Sequence, residues 1–147
     1  MKTKLSLIAF AALLSLPLRA DDAKPATPAE EKKLATVENV SPDQAEKLMA
    51  GSPRLIVIDV RTPDEFAEGH IKGAMNIDFF EPDFAKKVAA LDAANPVMIH
   101  CAAGNRSSQA LNAIKDTAKF PAIYHLKAGF SGWKAAGKPI ETVQAVK

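Results

Sequence analysis

Apolar and polar positions alternate along this chain in short blocks that read as strands and helices in turn. Thr36–Val40 predicts a short strand. Ser41 is a good N-cap for the helix that follows, Pro42 suits its first position, and Gln44 closes a capping box. That helix is expected to run to Met49 and stop at Gly51. Leu55-Ile-Val-Ile58, between Arg54 and Asp59, is an unbroken apolar run of the kind buried parallel strands carry. Thr62-Pro-Asp-Glu65 repeats the cap chemistry for a short helix ending at Gly69. Met75–Ile77 predicts another short strand. Between Asp83 and Leu91, the residues Phe84, Val88 and Leu91 fall on one helical stripe. Pro96–His100 predicts a strand, and Ser107–Lys119 a helix with Ala110, Leu111 and Ile114 inward. Ala122–Leu126 is the last strand and Ser131–Ala136 the last short helix. Alternation of this type implies an α/β domain, with a mostly parallel central sheet and helices on both faces.

The ends read differently. Residues 1–20 have the form of a secretory signal peptide: Lys2 and Lys4 precede a short apolar stretch from Leu5 to Leu16, too short to span a bilayer with ease. Ala20 can precede the cut, giving a mature start at Asp21; an uncleaved anchor is the alternative. Residues 21–35, with Pro25 and Pro28, read as a solvated linker, and residues 36–142 as the folded domain. The whole chain, 147 residues, carries a net charge of +2. The leader holds three of its 19 basic residues and none of its 17 acidic ones, so 16 basic and 17 acidic residues remain, a net charge of −1. That balance gives no support to nucleic-acid binding, which wants a basic patch on the folded domain, and no nucleic-acid partner is expected. Export also places the chain outside the cytoplasm, periplasmic or secreted, with no stable membrane insertion after cleavage.

Cys101 is the only cysteine, so neither an internal disulfide nor a dithiol redox pair can form. His70, His100 and His125 show no metal-ligand spacing with it. Cys101 ends an apolar strand and stands before Ala102, Ala103, Gly104 and Asn105, with Arg106 closing the loop and a helix beginning at about Ser107. Free backbone N–H groups converge at such a strand-to-helix turn and favour negative charge. A thiol near pKa ~8.5 can fall to roughly 3.5–7.5 there. The four small loop residues supply backbone, which lets N–H groups approach the sulfur and anything it carries. Arg106 is a cation in a first helical turn, which the macrodipole disfavours, so an anion is expected to face it: the Cys101 thiolate, that sulfur with what it carries, or a substrate oxyanion.

The loop Cys101-Ala-Ala-Gly-Asn-Arg106 resembles the active-site loop of the rhodanese family of sulfurtransferases. The segments Asp59–Ile77 and Leu126–Ile140 are similar to that family's flanking signatures, so the resemblance runs from about Val37 to Ile140. It implies a rhodanese-like fold and a two-step cycle. The Cys101 thiolate takes a sulfane sulfur from thiosulfate or a polysulfide; an acceptor thiol or cyanide then removes it from the Cys101 persulfide. It implies Cys101 and Arg106 as catalytic residues, Ala102 to Asn105 as the persulfide cradle, no metal and no organic cofactor. The partners it implies are a small sulfur-containing anion or a low-molecular-weight thiol, with a protein thiol as a further acceptor. Relatives often carry a basic or polar side chain after the cysteine where Ala102 and Ala103 stand, which weakens the case for thiosulfate as the physiological donor. A non-enzymatic binding or sulfur-sensing module is the alternative of a different class. Phosphatase and arsenate-reductase loops have five residues between Cys and Arg, one more than here. His70, His100 and His125 read as structural, Asp59 and Arg61 as an ion pair bracing a loop, and Trp133 with Phe130 as core cover beside a turn eased by Gly129 and Gly132.

Overall fold

Two capping boxes start the first two helices of the computed structural model, which describes residues 36–143. The leader and linker expected over residues 1–20 and 21–35 lie outside the described residues. In helix α1 (Pro42–Gly51), Ser41 Oγ accepts from the Gln44 N–H at 3.3 Å while Gln44 Oε1 accepts from the Ser41 N–H at 2.9 Å. In α2 (Pro63–Glu68), Thr62 and Glu65 make the same reciprocal pair. Each box satisfies two donors that a helix start leaves free.

Strands β1 (Val37–Val40), β2 (Ile56–Asp59), β4 (Met75–Asn76), β5 (Val97–His100) and β6 (Ile123–Leu126) form one sheet in the order β1-β6-β5-β2-β4, parallel throughout. β3 (His70–Ile71) and β7 (Ile140–Glu141) form a separate antiparallel pair. Side chains of the central strands alternate between two cores. Ile58, Val60, Val97, Ile99 and Cys101 pack with Phe84, Val88, Ala110 and Ile114 from α3 (Phe84–Ala89) and α4 (Asn105–Ile114). Val57 and Met98 point the other way, to Ala45 of α1 and to Phe130 and Trp133 of α5 (Gly129–Ala135). Each fully buried large apolar side chain contributes about 1.5–3 kcal/mol. The expected sheet with helices on both faces is therefore present.

Two elements, β2 and α4, are bounded differently from expectation in ways the hydrogen bonds explain. β2 begins at Ile56 and runs through Asp59, because the Ile56 N–H pairs with the Pro96 carbonyl and Asp59 lies beside His100 in the register. α4 begins at Asn105, two residues early, because Gly104 turns the chain with a φ of +92°. It ends at Ile114, not Lys119: a turn follows in which the Thr117 and Ala118 N–H groups both donate to the Ile114 carbonyl, and Phe120 drops into the core.

The order of strands fixes where ligands gather. The chain runs outward from β2 to β4, then returns through β5 to β6, so its direction reverses between neighbours β2 and β5. Crevices at the C-terminal ends of parallel strands open at such a point. Cys101 follows β5 there.

Candidate active site

Cys101 lies at the end of the central strand with its side chain buried. The Gly104 N–H donates to Sγ at 3.1 Å, and Ser107 Oγ lies 3.4 Å from it. Burial pushes the thiol up, but the Ser107 hydroxyl and the N–H groups of Ser107, Ala103 and Gly104 outweigh it and hold the thiol below its usual value. Gly104 lets the loop close around the sulfur. A Cβ on it would lie 2.3 Å from the Lys127 carbonyl, and its positive φ disfavours any L side chain.

The outer wall of the loop is held by the start of α5. The Phe130 N–H donates to the Cys101 carbonyl at 2.7 Å and the Ser131 N–H to the Ala102 carbonyl at 2.9 Å. Gly129 permits this approach, since a Cβ there would meet both carbonyls within 2.6 Å. The role expected for Gly129, easing a turn beside Trp133, is thus accompanied by a closer one at the cysteine loop. Ala103 and Asn105 are exposed and Ala102 is half-buried.

The anion that faces Arg106 is not the expected cysteine sulfur or substrate oxyanion but Glu65 of the capping box. Arg106 Nη1 and Nη2 donate to the two Glu65 carboxylate oxygens at 2.6 and 2.8 Å. The Arg106 pairing holds Glu65 at a pKa of about 2, against burial and with help from Thr62. Glu65 thus caps α2 and anchors α4 with one carboxylate. Its capping role was visible in the motif; its reach to Arg106, 41 residues on, was not.

A second polar cluster lies on the other face of the sheet. Asp59 and Arg61 form a buried pair at 2.6 Å, and Arg61 also donates to the Gly69 carbonyl at 2.7 Å and stacks over Phe130. This is the brace the motif suggested. His100 points to this side; its Nε2 lies 3.9 Å from Asp59 and has no hydrogen-bond partner among the described residues. Burial lowers its pKa, so it stands neutral beside the pair. His70 stacks on Phe66 and bonds the Phe66 carbonyl through Nδ1. His125 is different: its Nε2 reaches Ser107, which lies against the sulfur, and its Nδ1 reaches Asn39. Ser107 read only as a helix start, and nothing local in the sequence marked either residue for the site.

A profile of the family described as Rhodanese-like domain matches residues 41–136, which include the whole Cys101–Arg106 loop. The chain belongs to the rhodanese family. Among curated proteins, this rhodanese-like chain is 35% identical over 111 residues to a thiosulfate sulfurtransferase GlpE of Ectopseudomonas mendocina, covering 76% of the chain and 96% of that protein. It is 36% identical over 112 residues to the thiosulfate sulfurtransferase GlpE of Pseudomonas putida, with the same coverage. Among solved structures, the crystal structure of the Alr3790 protein from Anabaena sp. superposes with a TM-score of 0.63 at 26% identity, covering 71% of this chain and 92% of that one.

Proposed function

We propose that this rhodanese-like protein is a sulfurtransferase that moves a sulfane sulfur from thiosulfate or a polysulfide to a thiol or cyanide acceptor through a Cys101 persulfide. The observation that carries the reading is the Cys101 sulfur held by the Gly104 N–H and the Ser107 hydroxyl at the reversal point of a parallel sheet. Donors that stabilise a thiolate favour nucleophilic attack. With thiosulfate, Sγ attacks the outer sulfur, the S–S bond breaks, and its electron pair leaves with sulfite. The same loop donors then face the persulfide. An acceptor thiolate or cyanide attacks the outer sulfur, and the Cys101 thiolate leaves. Arg106, braced by Glu65, keeps positive charge at the loop's end throughout. The relatives named thiosulfate sulfurtransferase support the same class.

Intact-mass analysis tests this. Incubation with thiosulfate or polysulfide should add about 32 Da at Cys101, and cyanide or a thiol should remove it. An unmodified mass with every donor means a binding or sensing module in place of an enzyme. We also propose export of the chain, on the sequence of residues 1–20 alone. N-terminal sequencing of protein from its native host should find a start near Asp21; intact Met1 in the soluble cytoplasm would refute export.

A further inference from the structure

The polar groups behind the sulfur form a continuous line. His125, on β6 and 3% exposed, has Nδ1 3.0 Å from Asn39 Oδ1 and Nε2 2.9 Å from Ser107 Oγ. Asn39 is its register partner on β1. Ser107 Oγ, fully buried, stands 3.4 Å from Cys101 Sγ and 3.0 Å from the Gly104 carbonyl. Four residues from β1, β6, α4 and the end of β5 therefore connect an exposed strand edge to a buried thiol. Asn39 lies outside the span that the family profile matches.

The arrangement has a definite sense. With Asn39 Oδ1 turned toward the ring, Nδ1 carries the hydrogen and a neutral imidazole has a bare Nε2. That nitrogen is the stronger acceptor for the single Ser107 proton. The Ser107 oxygen then has a lone pair free for the Cys101 S–H.

We propose that His125 is a positioning residue that takes up the Cys101 thiol proton through Ser107, with Asn39 holding the imidazole in the accepting tautomer. The S–H bond breaks as its proton joins Ser107 Oγ, and the original Ser107 O–H proton forms an N–H bond at Nε2. Charge is conserved: a neutral thiol and imidazole become a thiolate and an imidazolium. Ser107 ends as an acceptor from Nε2–H, so the proton it gained points back at the sulfur anion. One hydroxyl thus passes the proton on and then stabilises what remains. The reverse path returns a proton to Sγ.

The surroundings keep the ring neutral before transfer, and the thiolate formed offsets what they take from its basicity. Burial, and after it Lys127, hold the His125 pKa below the ordinary imidazole value. Against the ring, β1 presents the neutral Asn39 and α4 presents Ser107; Cys101, which follows β5, lies beyond Ser107, and its thiolate favours the imidazolium. The ring is neutral at pH 7 and ready to accept.

The test is the pH dependence of Cys101 alkylation by iodoacetamide in the whole chain. It needs no sulfur transfer, so its outcome is independent of the sulfurtransferase reading. His125→Gln can still bond Ser107 and Asn39 but cannot carry the proton. It should slow alkylation about tenfold at pH 7 and raise the midpoint by about one unit. Asn39→Asp, at an exposed position, puts a carboxylate on Nδ1 that favours the imidazolium. It should lower the midpoint, whereas a new negative charge acting on the sulfur directly would raise it. A His125→Gln profile that superimposes on wild type overturns the proposal. Should His125→Gln fail to fold, Asn39→Asp decides: an unchanged or raised midpoint overturns it.

Discussion

Arg106 and Glu65 meet fork to fork, at 2.6 and 2.8 Å, and so tie the first turn of α4 to the capping box of α2. A guanidinium at a helix N-terminus is electrostatically misplaced unless an anion sits against it. Glu65 supplies that anion from a different element and leaves the N–H groups of the loop for the sulfur. Phe80, two-thirds exposed, lies 6.0 Å from the same guanidinium. The cation is therefore oriented before any donor arrives.

Arg106→Lys should lower kcat/KM for an anionic sulfur donor by roughly tenfold, or about 1.4 kcal/mol of transition-state stabilisation. An ammonium cannot brace both carboxylate oxygens. Glu65→Gln should act in the same direction, and the double variant should be little worse than either single one, because both break one pair. Steady-state kinetics on the four proteins check this. Strict additivity would mean that the two residues serve the reaction separately.

The same pair gives a pH dependence whose sign is fixed. Glu65 has a folded pKa of about 2, below its ordinary 4.5. Its stabilising contribution is thus complete above about pH 4.5 and is lost as pH falls toward 2. Both side chains are partly exposed, at 22% and 34%, so salt should weaken the effect. Melting temperatures should separate wild type from Glu65→Gln at neutral pH, with the gap closing between pH 4.5 and 2. A gap that widens on acidification would contradict the pairing.

Much of the frame was legible because its signals are local. Ser41–Gln44 and Thr62–Glu65 announce two helix starts within four residues each, and both are present. β3 and β7 were missed because two-residue strands, His70–Ile71 and Ile140–Glu141, leave no periodicity to read. The start of α4 was misplaced because Ser107 looks like a cap. Its oxygen instead lies inside the helix, 3.0 Å from the Gly104 carbonyl, and Gly104 makes the turn. The cysteine loop was readable as a contiguous string. Its partners were not: Glu65 is 41 residues from Arg106, and Asn39 is 86 from His125, so only the fold brings them together.

Gly104→Ala should be far more damaging than Gly137→Ala. Both glycines have positive φ, 92° and 68°, so both substitutions carry backbone strain. Only at Gly104 would the new Cβ meet backbone, the Lys127 carbonyl at 2.3 Å; around Gly137 the space is open. Gly137→Ala should cost about 1 kcal/mol and leave alkylation of Cys101 unchanged. Gly104→Ala should cost roughly 2–4 kcal/mol and raise the midpoint for alkylation, because the N–H that faces Sγ must move. Equal losses for the two variants would show that φ alone governs Gly104.

Cys101→Ser separates the chemistry from the fold. The Gly104 N–H and the Ser107 hydroxyl that face Sγ can both bond a serine oxygen, so the loop keeps its partners. Cys101 belongs to an apolar cluster that also holds Val60 and Ala110, so a hydroxyl there is less at home than a thiol. The cost in stability should stay near 1–2 kcal/mol, about the size of a poorly matched buried polar group. Sulfur transfer should nevertheless vanish, because an alkoxide is inaccessible at neutral pH and oxygen cannot carry a transferable sulfane sulfur. Circular dichroism and a sulfite- or thiocyanate-release assay measure the two effects on one preparation. A variant that melts near wild type and keeps a tenth of the turnover would show that another group is the nucleophile. A variant that neither folds nor turns over would leave Cys101→Ala, measured in the same way, to decide whether the loop tolerates loss of the sulfur.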